Sequence, residues 1–140
     1  MGLYSTGDCF RHDITVTPHR PILKVAIETL ISQRSEILEA PVDTGFAGFL
    51  MTPSELYVKL SEMEVPEEHF LTYSTLIGPI TMRRANVRIR IFDHSFESFL
   101  ETPQLGLGKL LLGRRILNLL PIAILGPENR TCTLRIAEAV

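Results

Sequence analysis

Between Ala40 and Leu50 the chain reads Ala-Pro-Val-Asp-Thr-Gly-Phe-Ala-Gly-Phe-Leu, with one acid, Asp43, in a tight loop between two apolar runs. Strand-like runs on both sides anchor such a loop in a core, so its carboxylate is held in place. Thr44 adds a hydroxyl that can brace the loop, and Gly45 lets the backbone approach the acid closely. General acid/base work at one carboxylate is the chemistry this arrangement suits. A plain Asp-Gly turn between two strands is the reading that the tripeptide alone leaves open.

A second element narrows the choice. Lys109-Leu110-Leu111-Leu112-Gly113-Arg114-Arg115-Ile116-Leu117-Asn118-Leu119-Leu120 is an apolar strand that meets a glycine and turns directly into a short amphipathic helix. Taken alone it is an ordinary buried strand ending at a glycine. Paired with Asp43-Thr44-Gly45, it resembles the retropepsin-like aspartic proteases over about residues 20 to 136. The resemblance is to their small single-domain members, which include viral proteases and compact prokaryotic-type relatives. Only one Asp-Thr-Gly is present, and no second Asp-Thr/Ser-Gly, so the chain is similar to the homodimeric branch rather than the two-lobed one.

That resemblance carries definite expectations. The fold is a mainly β, closed β-barrel of the acid-protease type with two short helices, spanning residues 13–140 behind a loose arm at 1–12. The activity is that of an aspartic endopeptidase built from two copies, with a catalytically weak or inactive dimerisation or peptide-binding module of the same fold as the alternative. The expected catalytic set is Asp43, Thr44 and Gly45: Asp43 pairs with its symmetry mate, Thr44 bridges the two loops, and Gly45 offers backbone contact. Phe46, Ala47, Tyr73, Ile77 and Gly78 are expected to bind substrate, with Gly78-Pro79 as the tip of a mobile flap or a simple turn. Phe46 stands where the family often has a small residue, and either narrows the cleft or packs outward. Tyr73 and Ile77 fit a cleft lining and a strand face equally. Leu111, Leu112 and Gly113 run beneath the catalytic loop. Arg114 matches a helix-opening arginine whose acidic partner in viral relatives falls at Ala47 here, so that ion pair is missing. Neither a cofactor nor a metal is implied, and the partners are a second copy and an extended peptide.

Composition excludes several other classes. A net charge of -2 gives no global electrostatic case for nucleic acid. The run from Arg83 to Arg90 contains four arginines, but Arg88 and Arg90 fit the wet face of a strand, and Asp93, Glu97 and Glu101 dilute the patch. The longest apolar region, Leu110 to Leu125, is broken by Arg114, Arg115, Asn118 and Pro121 and is not a membrane span. No charged-then-apolar leader opens the sequence, which points to the cytoplasm. A cytosolic setting favours free thiols at Cys9 and Cys132 over a terminus-to-terminus disulfide. Cys9-x-x-His12 has half-site spacing for zinc, with no second pair to complete it. No Gly-rich loop followed by Lys-Ser/Thr and no G-x-S-x-G elbow is present, which leaves phosphoryl transfer and serine hydrolysis unsupported.

Local patterns give the remaining elements. Short strands are expected at 12–17 and 49–51, and a hairpin at 22–31 and 36–42 that delivers Asp43. A helix is expected with Thr52 as N-cap, Pro53 at its first position and Glu55 three residues after the cap. Two long strands, 70–77 and 80–91, meet at Gly78-Pro79. Strands at 96–100 and 110–112, a helix at 114–120, and a hairpin at 122–125 and 131–136 complete the reading.

Overall fold

Strand periodicity governs the architecture of the computed structural model, which describes residues 4–136. In chain order the elements are β1 (Tyr4–Arg11), β2 (Ile22–Glu28), β3 (Ser35–Pro41), β4 (Leu50–Met51), α1 (Ser54–Leu60), a 3-10 turn (Glu67–His69) and β5 (Leu71–Thr75). Then follow β6 (Gly78–Ile91), β7 (His94–Pro103), β8 (Leu111–Leu112), α2 (Arg114–Leu117), β9 (Ile122–Leu125) and β10 (Arg130–Ile136). A seven-stranded sheet runs β3-β2-β6-β7-β4-β8, with β5 paired to β6, and a three-stranded sheet runs β1-β10-β9.

Alternation decides which face is core. On β2, Leu23, Val25 and Ile27 are fully buried while Lys24 and Glu28 are exposed. On β6, Val87, Ile89 and Ile91 go inward, and Arg88 and Arg90 face water. These rows meet Leu50, Leu100, Leu112 and Ile116, with Tyr57 and Leu60 of α1 covering them. Each fully buried aliphatic side chain contributes about 1.5–3 kcal/mol.

Several expectations are corrected. The larger sheet does not close through a continuous ladder: its end strands β3 and β8 meet through one isolated bridge, Val42 to Leu112. The expected loose arm is largely strand β1, antiparallel to β10. Its residues lack apolar alternation because almost every side chain is exposed, so pairing with β10 makes it a strand. The expected strand at 12–17 is irregular, with only an Asp13–Arg20 bridge and a cis Thr17–Pro18 bond.

Cys9 and Cys132 are not free thiols. They stand opposite each other in the β1–β10 register and are joined as a disulfide. Thr52 is not a helix cap: the cap position of α1 is Pro53, with no side-chain cap bond. Thr52 is instead fully buried, its N–H donating to the Glu101 carbonyl at 2.8 Å while its hydroxyl has no partner. Among the described residues, no helix is long and apolar enough to cross a membrane.

Candidate active site

Asp43 sits where the two ends of the larger sheet meet. Its N–H donates to the Leu112 carbonyl at 2.9 Å, directly after the Val42–Leu112 bridge. The carboxylate turns back on its own loop, Oδ1 accepting the Gly45 N–H at 2.9 Å. Phe46 N–H closes the turn onto the Asp43 carbonyl at 3.2 Å. Asp43 is half-buried, and Thr44 and Gly45 are exposed, so the loop presents both residues outward from this chain.

The strand-to-helix segment grips that loop from one side. Gly113, Arg114 and Arg115 donate their N–H groups to the carbonyls of Phe49, Phe46 and Gly48, at 2.7, 2.9 and 3.0 Å. These are the orphan donors of a helix start, satisfied by the loop rather than by a capping side chain. Gly113 is required for the fit, because a Cβ there would collide with the Gly48 carbonyl and lie 2.7 Å from Phe46 Cδ2.

The missing partner at Ala47 is partly replaced. Arg114 is exposed and makes no ion pair among the described residues. Its neighbour Arg115 donates Nε–H to the Ala47 carbonyl at 3.1 Å and lies across the Phe49 ring.

The hairpin β5–β6 arches from the same region. Thr75 pairs with Gly78, so the turn residues are Leu76 and Ile77 and the tip lies there rather than at Gly78-Pro79. Gly78 supports the turn from its end with φ of +113°, and Thr75 Oγ1 donates to its carbonyl at 2.6 Å. Ile77 is 89% exposed. Tyr73, nearer the base, is only 8% exposed and meets the Phe46 ring edge-on at a centroid distance of 5.6 Å. Phe46 thus packs inward beneath the hairpin, with Met82 completing the small apolar layer.

The sequence reading treats Glu101 as one of several surface acids, whereas it is 0% exposed. Its Oε1 accepts the Phe49 N–H at 2.6 Å, and its Oε2 accepts the Tyr73 hydroxyl at 2.7 Å. Burial pushes its carboxyl above the ordinary carboxylate range, opposed by these hydrogen bonds and by the charges of Arg84 and Arg115. Burial and the bond to Glu101 push the Tyr73 hydroxyl upward likewise. Arg83 and Arg84 also leave the expected wet stripe, Arg83 pairing with Glu64 at 2.8 Å and Arg84 stacking on Phe99 at 3.5 Å.

No family model and no curated protein matches this sequence. Among solved structures, the chain is similar to EIAV protease complexed with the inhibitor HBY-793. The TM-score is 0.52 at 18% identity, over 73% of this chain and 88% of that one. At that identity the likeness establishes the fold, which is mainly β and retropepsin-like.

Proposed function

We propose that this chain is an aspartic endopeptidase that works as a homodimer, with Asp43 of each copy forming the catalytic pair. The supporting observation is the placement of Asp43 in a retropepsin-like fold: its main chain is tied to Leu112, its half-buried carboxylate accepts the Gly45 N–H, and exposed Thr44 and Gly45 lie beside it. A lone carboxylate is a poor base for amide hydrolysis. Two held about 3 Å apart share a proton, a property established for aspartic proteases as a class. The ionised member takes a proton from water as its oxygen bonds to the scissile carbonyl carbon, and the protonated member gives its proton to the carbonyl oxygen. Collapse of the resulting gem-diol breaks the C–N bond, with a proton passing to the amine and a carboxyl left on the other product. Substrate lies as an extended strand beneath the hairpin, where Ile77 and Gly78 reach over it and Phe46, Ala47 and Tyr73 line the cleft.

The test uses the purified chain with a mixture of extended peptides, cleavage being read by mass spectrometry across a protein dilution series. Asp43→Asn keeps the fold and loses cleavage, and specific activity of the native chain falls as the dimer dissociates. Cleavage by Asp43→Asn at the native rate, or full activity in a verified monomer, overturns the proposal. Peptide binding without cleavage supports the non-catalytic module instead.

A further inference from the structure

Glu101 is an expensive residue to bury, and nothing in the loop's own turn chemistry requires it. An ionised carboxyl in the interior must be fully hydrogen-bonded, and an apolar side chain of similar size would fill the space at lower cost. Its two oxygens are divided between two different parts of the site. Oε1 holds the main chain of the Asp43 loop at Phe49, and Oε2 holds the β5–β6 hairpin through the Tyr73 hydroxyl. Neighbouring residues make room for this division. A Cβ at Gly48 would lie 2.6 Å from Oε1, so glycine there allows the carboxylate to reach the backbone. Arg84 stands opposite Glu101 across the β6–β7 ladder and supplies compensating positive charge.

We infer that Glu101 is a positioning residue that couples the hairpin to the catalytic loop, Tyr73 acting as its latch. The inference rests on the peptidase reading for its kinetic consequence and on geometry alone for the coupling. With the latch closed, the hairpin is already ordered, its Tyr73 ring held against Phe46. Substrate then binds without the added cost of ordering the hairpin. Tyr73→Phe removes only the latch hydroxyl and leaves the ring packed on Phe46. Glu101→Leu removes both attachments. Glu101→Gln keeps them, its amide oxygen accepting from Phe49 and its NH2 donating to the Tyr73 oxygen.

The experiment joins steady-state kinetics to hydrogen–deuterium exchange on the same full-length preparations. Tyr73→Phe raises KM about tenfold with kcat within about twofold, since the lost bond serves binding and transition state equally. Glu101→Leu raises KM and lowers kcat, and Glu101→Gln restores both. Amides of 71–82 and of 43–49 exchange faster together in Tyr73→Phe, a readout that does not depend on catalysis. Faster exchange in the hairpin with an unchanged loop overturns the coupling, whether or not the protein cleaves peptides. Absence of cleavage in the native chain, with joint loss of protection in Tyr73→Phe, overturns the peptidase reading and leaves the coupling standing. A Glu101→Gln variant with the kinetics of Glu101→Leu overturns the positioning role.

Discussion

The α-carbon of Gly113 faces the carbonyl of Gly48 so closely that no side chain fits between them. This contact joins the strand-to-helix segment to the Asp43 loop. The same segment donates three N–H groups to loop carbonyls, so moving it moves the loop.

Gly113→Ala therefore destabilises the protein by about 1–3 kcal/mol, at the upper end because the collision is with backbone rather than a flexible side chain. Chemical unfolding measures the loss. If the chain is the proposed peptidase, its activity per folded molecule also falls. A variant with native stability and activity would falsify the contact's role.

Stability depends on pH through Glu101. Its carboxyl binds a proton more tightly in the folded chain than in the unfolded one, because burial raises it above its ordinary value of 4.5. The stability linked to that proton is fully present below the unfolded value and is lost as pH rises through the raised folded value. Glu101→Gln lacks this dependence and gains on the native protein as pH rises from about 4 to 7. Urea unfolding of both proteins across that range checks the sign, and a constant difference contradicts it. The charges facing Glu101 are those of Arg84 on β6 and Arg115 on α2.

Reduction of Cys9–Cys132 should lower stability by about 2–4 kcal/mol, because the bond closes a long loop in the unfolded chain. The two cysteines are 123 residues apart in sequence. The paired substitution Cys9→Ala with Cys132→Ala reproduces the loss and abolishes sensitivity to reductant in thermal melts. Identical midpoints with and without reductant argue against the bond.

At the hairpin, Gly78→Ala and Ile77→Ala separate strain from recognition. A Cβ at Gly78 meets no atom within 4 Å, so its cost comes from the positive φ alone, of order 1–3 kcal/mol. Ile77 is exposed and its truncation changes stability by less than about 0.5 kcal/mol. If the tip covers substrate, Ile77→Ala raises KM despite its native stability. An unchanged KM removes Ile77 from the binding surface.

The elements readable from sequence are those whose alternation reflects burial in this chain. The hairpin ending at Pro41, the long β6 strand and the strand-to-helix turn at Gly113 all carry that mark. Strand β1 carries none, since its pairing partner is at the opposite end of the chain and its side chains face water. The same distance hides the cysteine pairing. Thr52 has the composition of a cap, but its hydroxyl is drawn into the interior by the β4–β7 pairing next to it. The Asp43 loop and its contact with Leu112 were legible because both lie at apolar strand ends. Glu101 was hidden because a single acid reads as surface until its two partners, 52 and 28 positions away, are brought to it.

The pairing of β1 with β10 brings Tyr4 opposite Ile136, so the two ends of the described backbone lie on adjacent strands. Paired residues on antiparallel strands are about 4.5–5.5 Å apart at their α-carbons, a gap that a few glycines span. The connectivity is therefore close to circular. Joining residue 136 to residue 4 and opening the chain in the exposed turn at 126–128 gives a permuted protein with the same ladders, disulfide and Asp43 loop. In that permutant β9 and β10 lie at opposite ends of the sequence, which turns the terminal sheet into a place where fused domains attach.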